Sequence, residues 1–482
     1  MEEKHTFAST THEEDVIDES VADPALAASA QRKLDLRLMP ILTLIYLFAF
    51  IDRSNAGNAR VLGMSEDLRL DAYRFNIALS CFYVPYILFE VPANILCKVI
   101  GPKIWIPFLT FSFGVIVMSM ASVQSYHGFL AARTCLGLAE AGIMPGITYC
   151  LSCYYRRREL VSRVGIYSSV ASLSGAFGGL LATAFSKIPA WGIMHTWRNI
   201  FFFEGIISML IAVLAFFLIP ASVEKAPFLT PAEKEATLRR LTQDLGAGHV
   251  EDSVLRYLRR AILNFNTILL GVASLCSLLT MNSMALFMPS ILNAMGYSGI
   301  HSQLLSVPPY FWAAIVCVTV TTLSGRTQKR GVWIAGLMPI TATGFILLLV
   351  STRTAVRYFA IFLCLTGAFT VSPMFVAWCM DNTAGHMTRA IAAGAVVGFG
   401  NIGGLIAAWA YVLPDAPRYV KGHALNLGFS GFCVVVVCAA MCNLHRENRL
   451  KAAGRRNDRV AGKSAEEIED LGHTHPEFYF TL

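Results

Sequence analysis

The chain has 482 residues, of which 55% are hydrophobic and only 15% are charged, and its formal net charge is +7. Soluble proteins carry about 25% charged residues, so this composition excludes an ordinary soluble domain and predicts an integral membrane protein. The basic residues are dispersed among short loops, and nucleic acid is therefore not an expected partner.

Apolar segments of about 20 residues, the length that crosses a bilayer, recur along nearly the whole chain. They predict an all-α integral membrane protein with twelve transmembrane helices in two pseudo-symmetric six-helix bundles. The expected spans are approximately 36–57, 75–97, 104–124, 128–152, 161–185, 198–220, 263–289, 302–324, 331–351, 356–380, 389–413 and 424–444.

The remaining segments are polar. A disordered acidic tail is expected over residues 1–35, and its HEEDVIDES stretch is unlike the basic start of a cleavable signal. The first bundle then covers 36–220, a cytoplasmic connection 221–262, the second bundle 263–444 and a cytoplasmic tail 445–482. Within the connection, Thr230 and Glu233 have the spacing of a helix N-cap and its N3 partner.

Lysine and arginine set the orientation. With both termini in the cytoplasm, about 28 of them fall on the cytoplasmic side and about 9 outside, which is the bias of cytoplasmic loops. We therefore expect a multi-pass protein with cytoplasmic termini.

An internal repeat relates the two halves at an offset of about 225 to 228 residues. The matched positions are Arg163 with Arg389, Gly178-Gly179-Leu180 with Gly403-Gly404-Leu405, Trp105 with Trp333, and Asn55 with Asn282. Two parallel six-helix repeats around a cavity at the membrane midplane are typical of secondary transporters.

Among the charged residues inside predicted spans, four stand out in the first and fourth spans: Asp52, Arg53, Arg133 and Glu140. A charge in hydrocarbon costs roughly 3 kcal/mol, so such residues usually face a cavity and serve function. We expect Glu140 and Asp52 to carry the coupling proton, and Arg53 and Arg133 to bind an anion. One arrangement has Arg53 reaching the solute and Asp52 pairing with Arg133; the alternatives are a purely structural ion pair or a pair that snorkels to the interface.

These charges belong to the first half alone, since the offset places Arg133 on Phe359 and Glu140 on Thr366. Ion chemistry is therefore expected in the first bundle, with polar and aromatic contacts to the solute from the second. Two further carboxylates are expected to be gating or structural: Glu90 with Lys98 or Arg163, and Glu204 with Arg198. Arg389, the repeat partner of Arg163, is assigned the same role.

Enzymatic chemistry is not expected, because no nucleophile with a base and no nucleotide-binding loop is apparent. The 12 cysteines lack metal-ligand spacing, and neither a metal nor a cofactor is predicted. Without a nucleotide motif, energy is expected to come from a proton gradient.

Several stretches resemble one transporter family. They are FIDRSNAGNAR, FYVPYILFEVPANILCK, ARTCLGLAEAGIMPGITYCLSCYYRRRE, WRNIFFFEG, LLSVPPY, GHMTRA, GFGNIGGL and DAPRYVKGH. With these motifs the chain resembles the major facilitator superfamily, and specifically the fungal anion:cation symporter branch that includes allantoate and nicotinate permeases. The resemblance covers roughly residues 33–445.

The resemblance implies a proton-coupled importer of a small organic anion, such as a nicotinate-, allantoate- or pantothenate-like carboxylate or vitamin. It places Tyr86, Asn382 and Asn401 on the solute cavity. Independently of the resemblance, Tyr310 and Trp378 could stack on a planar ring, and the alternatives are core packing or anchoring at the membrane interface. The loops CKVIGPKIW and SGRTQKRG depart from the family's charged signature, so its usual cytoplasmic ion pairs are not expected.

Two other functions share this architecture: a proton-driven exporter of drugs or secondary metabolites, and a nutrient-sensing receptor on a transporter scaffold. The expected partners are the anion, protons and the lipid bilayer. The protein is expected to act as a monomer, most naturally in the plasma membrane.

Overall fold

The computed structural model describes residues 24–71, 73–245, 259–384, 386–460, 462 and 471–482. In these ranges the secondary structure is helical, apart from an isolated bridge between Trp191 and Met194. Eleven helices of the described chain are long and apolar enough to cross a membrane. The predicted all-α membrane fold is therefore confirmed.

The first half begins with α1 (Pro24–Ala59), which continues through a π-helical turn (Arg60–Met64) into the short α2 (Ser65–Asp67). It goes on with α3 (Arg74–Ile100), α4 (Pro102–Met120), α5 (Tyr126–Glu140), α6 (Ile143–Ser152), α7 (Arg157–Ser186) and α8 (Thr196–Leu218). The central connection contains α9 (Pro231–Leu245).

The second half contains α10 (Phe265–Ala294), α11 (Gly299–Thr327), α12 (Arg330–Val350), α13 (Thr354–Asp381), α14 (His386–Ala407) and α15 (Val420–Ala452). The eleventh predicted span, 389–413, is shorter than expected. Its apolar helical stretch is Ile391–Ala407, too short to count among the eleven full-length candidates.

The fourth predicted span is interrupted directly after Glu140. Helix α5 ends there, and α6 begins at Ile143 after the two-residue turn of Ala141 and Gly142. Pro145 accounts for the break, because its ring would clash with the carbonyl of residue 141 in a continuous helix. The carboxylate of Glu140 is thus held at a helix end deep within the bundle.

The two halves use the same helix pairings. Helix α1 packs on α7 and α8 as α10 packs on α14 and α15. Likewise α3 packs on α5 as α11 packs on α13, and α4 packs on α8 as α12 packs on α15. These matched pairings support the parallel repeat inferred from the sequence.

The halves meet where α7 packs on α11 and α13, α3 on α14, and α1 on α10. At the α1–α10 crossing, a Cβ added to Gly57 would lie 2.1 Å from the carbonyl oxygen of Leu286. Only glycine permits this approach. We define the outer side as the end of the molecule with Arg60–Asp67, and the inner side as the end with Pro24 and α9.

On the inner side, α9 is fastened to the start of α1. The Thr230 amide donates to Glu233 and the Glu233 amide to the Thr230 hydroxyl, which confirms the predicted cap. Glu233 also accepts hydrogen bonds from Ser29 at 2.7 Å and Lys33 at 2.8 Å. The bonds from Lys33, the Thr230 amide and Ser29 lower the pKa of Glu233 to about 2.

The predicted tails are more ordered than expected. Residues 24–35 are helical and continuous with the first span, so the disordered-tail prediction is wrong for them; residues 1–23 lie outside the described part. Helix α15 likewise extends into the predicted C-terminal tail, and residues 471–482 fold back onto the inner side of the second half.

Candidate functional site

A cavity of about 540 Å³ lies between the two halves. Its wall includes Arg53 and Tyr86 from the first half and Asn282 and Asn401 from the second. Gly165, Gly325 and Arg330, near the inner ends of α7, α11 and α12, also line it. The cavity therefore extends from the middle of the molecule toward the inner side.

Hydrogen bonds between the halves close the outer side. The Asn76 amide of α3 donates to the carbonyls of Ala408 at 2.6 Å and Tyr411 at 3.1 Å. The Gln303 amide of α11 donates to the Asn58 carbonyl of α1 at 3.3 Å. The cavity is therefore closed on the outer side and extends toward the inner side.

One face of α1 brings a cation into this cavity. Tyr46, Phe50 and Arg53 are spaced four and three residues apart, so their side chains share a helix face, and all three line the wall. The Arg53 guanidinium Nε donates to Glu140 Oε2 at 2.7 Å. Arg53 is 12% exposed and Glu140 is 0% exposed, so the arginine stands between the cavity and the buried carboxylate.

Aromatic rings surround the Arg53 guanidinium. Its central carbon lies 4.4 Å from the ring centre of Tyr86, 5.0 Å from that of Phe50 and 5.4 Å from that of Phe82. Cation–π contacts of this kind favour the charged group while keeping water away from its faces. The predicted place of Tyr86 on the cavity wall agrees with this geometry.

Asp52 and Arg133 lie behind this wall, each 1% exposed. The expected ion pair between them is not formed: no described residue hydrogen-bonds to either carboxylate oxygen of Asp52. The Ser208 hydroxyl faces Asp52 without reaching hydrogen-bond geometry. Arg133 packs with its guanidinium 5.5 Å from the Phe129 ring and does not line the cavity, so it is not placed to touch solute in this conformation.

Glu204 has a different partner from the one expected. It accepts a short hydrogen bond from the Asn55 amide of α1. Arg198 instead donates to the carbonyls of Ala121 at 2.6 Å and Val123 at 2.7 Å, where it closes the end of α4. The predicted Glu204–Arg198 pair is therefore wrong, because the free carbonyls at a helix end satisfy the guanidinium.

The prediction for Glu90 is also corrected. Its carboxylate accepts a 2.8 Å hydrogen bond from Asn401 of the second half, and Lys98 is exposed. Arg163 binds Asp35 through two bonds of 2.8 and 2.7 Å. This pair forms because α1 is helical as far back as Asp35, which the sequence had assigned to a tail.

The second half contributes amides and rings to the wall. Asn282 accepts a 3.0 Å hydrogen bond from the Tyr83 hydroxyl of the first half, and Asn401 lines the cavity as expected. Phe369 adds an aromatic surface. The solute would thus meet the first half's charge and the second half's polar and aromatic groups.

Three residues expected on the solute lie elsewhere. Trp378 and Asn382 bind the C-terminal segment, with Trp378 Nε1 and Asn382 Nδ2 each 3.0 Å from the Thr481 carbonyl. Tyr310 donates to the Met284 carbonyl at 3.3 Å and packs against Gly175 at the junction of the halves. Their helix faces point away from the cavity, which sequence spacing alone did not determine.

At the inner ends of the second half, Arg330 pairs with Asp381. Arg389 donates to the Thr383 carbonyl at 2.8 Å. An inner ion pair is thus present although the SGRTQKRG loop departs from the family signature. It forms because α12 and α13 bring residues distant in sequence together.

Sequence reasoning missed Tyr46, Phe50, Tyr83 and Asn282 as wall residues. The regular spacing of Tyr46 and Phe50 from Arg53 could have identified the first two. In the described part of the chain, no three His, Cys, Asp or Glu side chains are grouped so that they could hold a metal ion.

Comparisons with known proteins agree with this architecture. The sequence profile of the Major Facilitator Superfamily matches residues 42–408. The MFS-type transporter efuF of Hormonema carpetanum is 33% identical over 458 residues, which cover 94% of this chain and 91% of that protein. The high-affinity nicotinic acid transporter of Saccharomyces cerevisiae is 30% identical over 480 residues, 99% of this chain and 89% of that protein.

Among solved structures, the crystal structure of a D-xylose-proton symporter superposes with a TM-score of 0.65. It shares 10% sequence identity and covers 83% of this chain and 97% of its own. At 10% sequence identity, the similarity shows that the two proteins share a fold.

Proposed function

Because the chain belongs to the Major Facilitator Superfamily, and is thus a membrane transporter, we propose that it imports a small organic anion together with a proton. The observation that carries this proposal is the 2.7 Å pair between Arg53, on the cavity wall, and Glu140, fully buried behind it. The pair gives one group that can bind an anion and one that can bind a proton, in direct contact.

Coupling follows from competition for Arg53. An ionised Glu140 neutralises the guanidinium and occupies its Nε donor. A proton on Glu140 removes that negative charge, so the planar guanidinium can bind a substrate carboxylate with two parallel hydrogen bonds. When Glu140 loses its proton to the inner solution, its carboxylate pairs with Arg53 again and the anion is released. Proton and anion therefore travel together.

The rest of the wall supports a compact substrate with a planar or apolar body. Tyr46, Phe50, Tyr83 and Phe369 supply rings, and Asn282 and Asn401 supply amides. A ring bearing one carboxylate, such as nicotinate, suits this combination. The nicotinic acid transporter among the relatives points in the same direction.

The test is uptake of labelled nicotinate, pantothenate and allantoate into proteoliposomes containing the purified protein. We expect at least one to accumulate when the outside is more acidic than the lumen, and accumulation to collapse with a protonophore. Equal uptake with and without the proton gradient would contradict the proposal.

An exporter driven by proton exchange is the second candidate. The aromatic side chains that dominate the wall around Arg53 would also suit a larger apolar metabolite. Efflux stimulated by an acidic acceptor side, with no accumulation of any small carboxylate, would favour it.

We further propose that both termini are cytoplasmic and that the protein works as a monomer in the plasma membrane. The lysine and arginine bias supports the orientation. Impermeant labelling of terminal tags on intact cells tests the orientation.

A further inference from the structure

The coupling step between Arg53 and Glu140 does not involve the buried carboxyl group of Glu204. Glu204 of α8 is 0% exposed, and its Oε2 accepts the hydrogen bond from Asn55. Its Oε1 has no hydrogen-bond partner in the described part of the chain. Asp52, three residues before Asn55 on α1 and so on the same helix face, interacts electrostatically with Glu204.

The charges of the buried cluster do not balance if every group in it is ionised. The buried cluster holds three carboxyl groups, Asp52, Glu140 and Glu204, against two guanidinium groups, Arg53 and Arg133. Arg53 forms an ion pair with Glu140, and Arg133 is the other guanidinium group, near Asp52. No described cation pairs with Glu204, and an unpaired buried carboxylate costs several kcal/mol. The cluster therefore reaches neutrality by retaining one proton.

A polar track connects Glu204 to the outer closure. Asn58 Nδ2 donates to the Asn55 carbonyl oxygen Oδ1 at 2.9 Å, so Asn55 links Glu204 to Asn58. The Asn58 backbone carbonyl accepts from Gln303 of the second half at 3.3 Å. Gln303 in turn accepts from Thr183 at 3.2 Å. The track thus ends where the two halves touch.

We propose that Glu204 is a proton-binding residue that is loaded from the outer side along the Asn55–Asn58 track and passes its proton to Asp52. The inference rests on the proposed proton coupling and adds its entry route. When the halves part on the outer side, Gln303 separates from Asn58 and water reaches the amides. The O–H proton of Glu204 then moves to a carboxylate oxygen of Asp52, which becomes neutral as Glu204 becomes a carboxylate.

Transfer continues from Asp52 to Glu140, which are electrostatic neighbours. Asp52 is thereby ionised again, and the protonated Glu140 releases Arg53. Glu204 binds a second proton before the outer side closes, so one proton remains on Glu204 after Glu140 has discharged. None of the three carboxyl groups lines the cavity, but Glu140 is bonded to Arg53, which does, so proton release to the inner solution is assigned to Glu140. The charged groups around Glu204 are Asp52 and, beyond it, Arg133 and Glu140.

Infrared spectroscopy of the purified, substrate-free protein at pH 7 tests the protonation of Glu204. We expect a carbonyl band from a protonated buried carboxyl group that is lost in Glu204→Gln, whose amide oxygen can still accept from Asn55. Glu235→Gln, in the exposed ion pair on α9, is the control and should keep the band. Absence of the band in the wild type, or its persistence in Glu204→Gln, overturns the proposal.

The entry route has a separate test. Transfer into D₂O shifts the carboxyl band, and the rate of that shift reports access to the proton. Asn58→Leu fills the track with an apolar side chain of similar size and should slow the shift; an unchanged rate refutes the route. Both measurements are made without substrate. Their failure is therefore distinct from failure of carboxylate uptake, which bears on the proposed function.

Discussion

Asn401 of α14 donates a 2.8 Å hydrogen bond to the carboxylate of Glu90 of α3, and thereby joins the two halves beside the cavity. Glu90 is partly buried, and Asn401 is 8% exposed and lines the cavity. A hydrogen bond to a charged group contributes about 1.5–3 kcal/mol. The contact therefore stabilises this arrangement of the halves, in which the cavity is closed on the outer side.

Asn401→Ala should lower the thermal stability of the substrate-free protein in detergent, because Glu90 loses the donor that compensates its burial. The measurement is the midpoint of heat-induced unfolding. Gly398→Ala on the same helix is the control, since its added methyl group meets nothing within 4 Å. Equal midpoints for Asn401→Ala and the wild type would show that the bond contributes nothing to this state.

Glu140→Gln should abolish acid-driven accumulation and leave counterflow exchange measurable. Glutamine cannot carry a transported proton, yet its oxygen can still accept from Arg53. Uptake and counterflow of whichever carboxylate the proteoliposome panel identifies provide the readout. Glu235→Gln, in an exposed pair on α9, serves as control. Retention of concentrative uptake in Glu140→Gln would place the coupling proton elsewhere.

The two buried arginines should respond differently to lysine. Arg53→Lys keeps the charge but loses the planar fork, so we expect substrate affinity to fall by an amount on the order of 1–3 kcal/mol. Arg133→Lys should change affinity much less, since Arg133 does not line the cavity. Competition binding on both variants gives the comparison; a larger loss in Arg133→Lys would mean that Arg133 reaches solute in another conformation.

Asn382→Ala should release the C-terminal segment without changing which solute is transported. Its side chain accepts from the Thr481 amide at 2.8 Å and donates to the Thr481 carbonyl at 3.0 Å. Proteolysis at residues 471–482 should become faster, while the competition profile of transported solutes stays the same. An altered profile with unchanged proteolysis would restore Asn382 to the solute site.

Docking of the same segment should weaken in acid. His473 is 7% exposed; burial and the nearby cations Arg260, Lys451 and Arg459 lower its pKa from 6.5 to about 4. When the segment is released, His473 binds a proton below about pH 6.5, whereas in the bound segment it does so only near pH 4. The free energy that holds the segment is therefore fully present above about pH 6.5 and decreases as pH falls toward 4. At pH 5.5 the loss is about 1 kcal/mol.

Hydrogen exchange of residues 471–482, corrected for intrinsic pH effects, measures this dependence. His473→Gln removes the titrating group and should flatten the profile between pH 7 and 5. A wild-type segment equally protected at both pH values would contradict the assignment.

The sequence alone determined the membrane class, the parallel repeat and the importance of the intramembrane charges. The apolar segments indicate the membrane class, and the matched positions at one offset indicate the repeat. The charges indicate a functional site, because a charged side chain in lipid is unfavourable and is rarely present without a function. The capping pair of Thr230 and Glu233 was also predictable from the sequence, because a cap joins residues only three positions apart.

Tertiary structure decided which partner each charge has. Asp35 reaches Arg163, Asn55 reaches Glu204 and Asn401 reaches Glu90, and in each pair the residues are more than 100 positions apart. Spacing along one helix shows which side chains share a face but not which neighbouring helix that face meets. For the same reason Trp378, a candidate for solute contact by residue type, and Asn382, a candidate by family resemblance, instead bind the segment 471–482. Only the folded arrangement of helices creates this contact.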